Sequence, residues 1–179
     1  QASPGRGDWG HLVFAQTSDN LESRIDSAVI EYAERNLHCE YSSPYVANSI
    51  LREAAEMNVL VQGGSPYLKN NRIYNSNKSG LYIMASAAPT ISGCEIYNNA
   101  YSYYGFYFID SGGTVTNCIV RNNHYGMYFA GASSPSVLKN MITRNQRGLD
   151  IRNTSKPVIN SYTFDRNDSG AAPLDGKDK

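Results

Sequence analysis

The stretch Pro66-Tyr-Leu-Lys-Asn-Asn-Arg-Ile73, followed by Gly80-Leu-Tyr-Ile83, sets the reading of the whole chain. Its apolar residues come in pieces too short for a helix and alternate at a period of two, which is strand patterning. Working outward, the piece recurs as Pro44-Tyr-Val-Ala-Asn-Ser-Ile-Leu51, Pro89-Thr-Ile-Ser-Gly-Cys-Glu-Ile96, Pro135-Ser-Val-Leu-Lys-Asn-Met-Ile142 and Pro157-Val-Ile-Asn-Ser-Tyr-Thr-Phe164. Gly113 replaces the proline in one more copy, so successive starts lie 22, 23, 24, 22 and 22 residues apart. A fixed period of this size is the mark of a repeat architecture.

The columns of this alignment carry uniform chemistry. Two apolar columns run Ile25, Val46, Leu68, Ile91, Val115, Val137, Ile159 and Ile30, Leu51, Ile73, Ile96, Val120, Ile142, Phe164. A third is Leu37, Val59, Leu81, Phe106, Met127, Leu149, and a fourth is Cys39, Val61, Ile83, Phe108, Phe129, Ile151. Four inward columns per turn supply a continuous core. Just before the third column stand Asn36, Asn58, Gly80, Gly105, Gly126, Gly148 and Gly170, a choice expected of a position with φ > 0. A turn column reads Ala33, Ala54, Ser76, Asn99, Asn123, Asn145, Asn167, and its asparagines are expected to hydrogen-bond up and down a ladder.

The expected fold is all-β: a right-handed parallel β-helix, or β-solenoid, of six to seven coils with a 21–25 residue period. Coils stacked at about 4.8 Å form parallel sheets along the axis. Residues 1–8 form an entry segment, 9–170 the solenoid, with an incomplete first coil at Gly10–Phe14, and 171–179 a polar tail expected to pack against something. Residues 48 to 58 and 21 to 35 have helix-forming composition, but their register fits strand and turn. A leucine-rich repeat has a similar period, but its Leu-rich signature is not met.

The 179 residues agree with this reading: 18 Asn, 20 Ser, 15 Gly and 14 Tyr, with only 18% charged. Such usage favours turns and strands over helices. Sixteen Lys+Arg against 16 Asp+Glu give no net charge, which excludes a nucleic-acid surface and leaves coils free to stack without repulsion. No apolar run is long enough for membrane insertion. The chain begins at Gln1 without Met, as expected of a mature secreted chain or of a fragment of a longer one.

The Ile-x-x-Asn-x-Ile-x-x-Asn-x-x-x-Gly-Leu-x-Ile pattern, seen from Leu68 to Ile83, resembles the right-handed parallel β-helix repeat proteins of the pectate-lyase-like superfamily. Gly5-Arg-Gly-Asp-Trp-Gly-His-Leu-Val-Phe14 is similar to the entry strand of its secreted members. The resemblance implies the fold and a secreted or cell-surface location; the superfamily includes polysaccharide lyases, hydrolases, adhesins and arrays without chemistry. The paired aspartates and Gly-His-Gly of polygalacturonase-like members do not occur here, nor are the Arg and carboxylate motifs of pectate lyases recognisable.

Candidate sites follow from the columns. Asp110 and Asp150 could approach one face two coils apart, about 10 Å by strand spacing, and are the weak candidates for a two-carboxylate glycosidase. The main candidate is the outward column His38, Leu60, Tyr82, Tyr107, Tyr128, Asp150, read as a flat aromatic ridge that stacks on sugar rings or packs against another copy. A second outward column, Glu31, Arg52, Tyr74, Tyr97, Arg121, Thr143, Asp165, permits cation–π stacking. Both also read as ladders that stiffen the solenoid. Asp19, Glu22 and Asp26 could hold Ca²⁺ only with help from loop carbonyls, so no metal site is expected, and no pattern calls for a cofactor. Cys94 and Cys118 stack in adjacent coils, where a disulfide or two free thiols would fit; Cys39 reads as core. Arg6-Gly7-Asp8 reads as an entrance turn rather than an adhesion tripeptide, and the Asn-x-Ser/Thr triplets at Asn77, Asn153 and Asn167 are expected by chance.

Two functions remain. One is a non-catalytic extracellular scaffold, assembling through its ends and its tyrosines with copies of itself or with the rest of a larger surface protein. The alternative is a carbohydrate-binding module or, further off, a polysaccharide lyase or glycoside hydrolase.

Overall fold

The computed structural model describes residues 3–100, 103–160 and 162–169, and every regular element among them is a β-strand. Three parallel sheets of seven strands each wind into a solenoid of about seven turns. Sheet A holds Trp9–Phe14, Ala33–Glu40, Val59–Gln62, Leu81–Met84, Tyr104–Ile109, Tyr125–Ala130 and Arg147–Ile151. Sheet B runs from Arg24–Asp26 to Val158–Asn160, and sheet C from Val29–Glu31 to Thr163–Asp165. The helix-prone stretches at 21–35 and 48–58 are strands and turns, because their apolar residues must face a core already set by the neighbouring coils. The tail 171–179 and Gly170 lie outside the described residues.

All four inward columns are in register, as in Leu68 with Ile91, Ile96 with Val120, Leu81 with Phe106 and Phe108 with Phe129. They merge into one core in which Phe106, Phe108 and Phe129 are fully buried. The first coil is the partial one the sequence implies: Trp9–Phe14 pairs with Ala33–Glu40, and Leu12 and Phe14 pack against the core.

The asparagine ladder forms at the corner from sheet C into sheet A. Asn99 donates its main-chain N–H and its Nδ2 to Asn123 Oδ1, both at 3.1 Å. Asn123 repeats this toward Asn145, and Asn145 toward Asn167. A second ladder, at the corner from B to C, includes both stacked cysteines: Ser49 N–H donates to Asn71 Oδ1, Asn71 N–H to Cys94 Sγ, and Cys118 N–H to Asn140 Oδ1. Cys94 and Cys118 are free thiols, as is the core residue Cys39, whose thiol burial pushes up to about 12.

The explanation offered for the Asn/Gly column is overturned. None of Asn36, Asn58, Gly80, Gly105, Gly126 or Gly148 has a positive φ. The left-handed residues sit at the corners: after the sheet B strands at Ser27, Asn48, Asn70, Gly93, Asn117 and Lys139, after the sheet C strands at residues that include Asn75, Asn98 and Asn122, and after the sheet A strands at residues that include Tyr41, Ala85 and Asp110. Glycine is needed before the third column for space: a Cβ on Gly105 would lie 2.6 Å from Gly126 O and 3.0 Å from Asn123 Nδ2. Where the turn residue of the next coil is only Ala54 or Ser76, the room is filled from this column instead: Asn36 Nδ2 donates to Arg52 O and Asn58 Nδ2 to Tyr74 O. Asn36 Nδ2 donates to Asn58 Oδ1 at 2.7 Å, and Asn58 Nδ2 reaches Asn99 Oδ1 at 3.4 Å. The ladder therefore continues through a change of chain position.

Candidate functional site

Sheet A turns its outer surface into the most aromatic part of the molecule. Tyr82, Tyr107 and Tyr128 stand side by side on successive strands and the row ends at Asp150, while His38 and Leu60 precede it. The expected flat ridge does not form. Tyr82 and Tyr107 meet edge to face at 4.7 Å and 82°, and Tyr107 and Tyr128 at 5.2 Å and 80°. Phenol rings prefer this arrangement because the positive edge of one meets the negative face of the next.

Two further tyrosines complete the face. Tyr104 pairs with Tyr125 beside the main row, and Tyr104 lies 4.8 Å from both Tyr107 and Tyr128. Strict alternation would turn Tyr104 inward when Tyr107 points out. Gly105 and Phe106 are both buried, so the alternation breaks at the glycine and both tyrosines face outward. The repeated Tyr104-Gly-Phe-Tyr107 and Tyr125-Gly-Met-Tyr128 are the signal that could have found them. Burial and the neighbouring tyrosines push the hydroxyl of Tyr107 up to about 12, and burial raises Tyr104 as well. Both phenols are therefore harder to ionise than a free tyrosine and can donate hydrogen bonds from their hydroxyls.

The two candidate carboxylates are kept apart. Asp150 is on sheet A with a side chain 10% exposed, held by Arg152 Nε at 2.5 Å and Arg147 Nη1 at 3.3 Å. Asp110 lies at the corner after Tyr104–Ile109, in the left-handed region, where its Oδ1 accepts the Ala132 N–H at 2.9 Å. It borders a shallow depression of about 390 Å³ lined by small residues such as Ser86, Ala88 and Ser134. One carboxylate is tied to two arginines and the other to a turn amide.

At the other end of the row, His38 is buried, with its Nε2 3.3 Å from Gln62 Oε1 and its ring 5.7 Å from that of His11. Burial lowers its pKa below the ordinary histidine value. Below about pH 6.5 the unfolded chain then takes up a proton that folded His38 refuses, so stability falls as the pH drops through that value. Urea midpoints measured between pH 7.5 and 5 should show this fall, and His38→Gln should reduce it; an identical slope in the variant would refute the assignment.

The remaining candidates are used internally. In the sheet C column, Tyr74 and Tyr97 stack at 4.6 Å, Arg121 covers Tyr97 at 4.1 Å, and Glu31 holds Arg52. Arg6 of the Arg-Gly-Asp triplet pairs with Glu53 at 2.6 Å and reaches Asn77, strapping the entry segment across later coils. Asp19 accepts the Leu21 N–H, Asp26 accepts from Asn48, and among the described residues no three His, Cys, Asp or Glu gather as metal ligands. Of the Asn-x-Ser/Thr triplets, Asn167 is committed to the ladder.

Comparison with known proteins concerns the fold. The model of the family described as "right handed beta helix region" matches residues 58–177. No curated protein sequence matches the chain. Among solved structures, the enzymatically active domain of tailspike protein 2 from bacteriophage CBA120 superposes with a TM-score of 0.70 at 15% identity, covering 79% of this chain and 24% of that one. Pectate lyase Pel9A gives 0.64 at 13% identity, covering 81% and 42%. The full-length tailspike protein 2 of the Escherichia coli O157:H7 phage gives 0.65 at 15% identity, covering 79% and 21%. The chain thus spans less than half the length of each of these structures.

Proposed function

Since the chain belongs to the right-handed β-helix family, we propose that it is a non-catalytic, extracellular β-solenoid module of a larger protein, and that the tyrosine face of sheet A binds polysaccharide. The observation that carries this reading is the five-tyrosine cluster of Tyr82, Tyr104, Tyr107, Tyr125 and Tyr128 on one outward face. Half-exposed phenols offer apolar ring surface to the C–H faces of sugars and hydroxyls to their hydroxyls. A cleavage reaction needs a base or two carboxylates at one bond, whereas here Asp150 is paired with arginine and Asp110 accepts a turn amide at a corner. The solved structures of like fold include a pectate lyase and an enzymatically active tailspike domain, which is consistent with a carbohydrate ligand.

Glycan-array screening followed by calorimetry tests the reading. Tyr107→Ala is expected to weaken the best ligand roughly tenfold, the loss of one to two aromatic contacts, and, since Tyr107 also touches Tyr82, Tyr104 and Tyr128, the titration is run where urea unfolding shows the variant fully folded. Full binding by a variant with Tyr82, Tyr107 and Tyr128 all changed to Ala would sink the proposal.

A second reading, a scaffold that packs against copies of itself or adjoining parts of a surface protein, draws on the apolar side chains of the terminal coils: Val29 is 57% exposed and Val158 62%. Sedimentation at rising concentration tests it, since a particle that stays monomeric at millimolar protein would count against it.

A further inference from the structure

The charged end of the tyrosine row carries a consequence for what the face accepts. Tyr128 is followed in register by Asp150, and Asp150 is held by two arginines, Arg147 on its own strand and Arg152 just beyond it. Arg152 grips it with two nitrogens, Nε at 2.5 Å and Nη2 at 2.8 Å. Arg147 donates Nη1 to it at 3.3 Å while its guanidinium stands 5.4 Å from the centre of the Tyr125 ring. Further along the border, Arg35 and Lys78 are likewise taken by one carboxylate, Glu56. An arginine is the group best suited to hold a sugar carboxylate, through paired N–H donors. Here the donors nearest the rings are already turned onto the protein's own anion.

We infer that Asp150 is a specificity-determining residue of the tyrosine face: by occupying Arg147 and Arg152 it makes the face select neutral glycans over acidic ones. The inference rests on the carbohydrate-binding reading above. A neutral sugar needs only ring surface and hydroxyls, both of which the tyrosines supply. An acidic sugar must share these arginines with a carboxylate that already holds the paired donors of Arg152 and one nitrogen of Arg147, and that competition costs affinity.

The test uses calorimetric titration of the wild-type protein, Asp150→Asn, and Asp150→Asn combined with Arg147→Gln and Arg152→Gln. The probes are neutral cello-, manno- and xylo-oligosaccharides and acidic oligogalacturonates of matched length. The wild-type protein should bind at least one neutral series, and the acidic series at least about tenfold more weakly. Asp150→Asn should gain about tenfold for the acidic series, as two freed guanidinium groups warrant, and so lose the preference for neutral glycans. That gain should shrink at high salt and vanish in the triple variant, which also shows that it comes from the arginines rather than from loosening of the sheet. Acidic glycans bound by the wild-type protein as tightly as neutral ones, or an unchanged preference in Asp150→Asn, would overturn the inference and leave the carbohydrate reading standing. Failure of the wild-type protein to bind either class overturns both.

Discussion

Asn123→Ala should lower the stability of the solenoid by roughly 3 to 5 kcal/mol, because one side chain serves five ladder contacts. Its Oδ1 accepts from the main chain and the side chain of Asn99, and its Nδ2 donates to Ile96 O, Arg121 O and Asn145 Oδ1. The site is buried, so water does not replace what is lost, and each orphaned buried group costs about 1 to 3 kcal/mol. The adjacent residue is the control. Asn122 is exposed and left-handed, with φ at 55°, so Asn122→Ala should cost only the local strain, about 1 kcal/mol. Urea unfolding of the two variants, with hydrogen exchange to locate the loosened coils, checks the contrast; equal losses would mean that the ladder adds nothing beyond turn preference.

Gly126→Ala is expected to be almost as damaging, at roughly 3 kcal/mol, and for a different reason. The added methyl would sit 2.5 Å from Gly148 O, 2.9 Å from Ile142 Cγ2 and 3.0 Å from Asn145 Nδ2. The carbonyl belongs to the next coil's main chain, so relief requires the coils to separate and the ladder to stretch. Backbone conformation plays no part, since Gly126 has no positive φ. The urea midpoint should fall accordingly, and a variant as stable as the parent would show that the coil spacing tolerates the methyl. Asn58 stands at the equivalent position three coils earlier because the turn residue of the next coil is only Ser76, and Asn58 Nδ2 takes the place an asparagine would fill there, donating to Tyr74 O at 3.0 Å and reaching Asn99 Oδ1 at 3.4 Å. Ser76→Asn combined with Asn58→Gly should therefore recover much of what Asn58→Gly alone loses.

These two variants mark where sequence reading stops. The Asn-Asn pairs at Asn70, Asn98 and Asn122 look like doubled turn residues, yet in each the first asparagine takes the left-handed corner and the second turns inward to a ladder. Composition alone cannot divide those tasks, because both suit asparagine. The small-residue column was visible in the alignment, but its cause was assigned to φ when it lies in the distance to the next coil. The exchange between a small turn residue, Ala54 or Ser76, and the asparagine of the coil before it, Asn36 or Asn58, points to the same packed space.

The candidate site divides in the same way. Tyr82, Tyr107 and Tyr128 followed from strand alternation, while Tyr104 and Tyr125 did not, since the alternation breaks at Gly105 and Gly126. That Asp110 and Asp150 serve different structures, a turn amide and an arginine pair, depends on side-chain directions that column position leaves open.

What the sequence by itself determined is the coil: its period, its four inward columns and the register that stacks them. In a solenoid every residue meets its counterpart one repeat away, so the contact map is already written along the chain. Only the tertiary structure decided how the corners bend, which asparagine turns inward, why glycine is required, how the tyrosine rings meet, and which charges are spent on one another. Those depend on distances of a few tenths of an ångström between coils, and a repeat pattern fixes the neighbours without fixing the space between them.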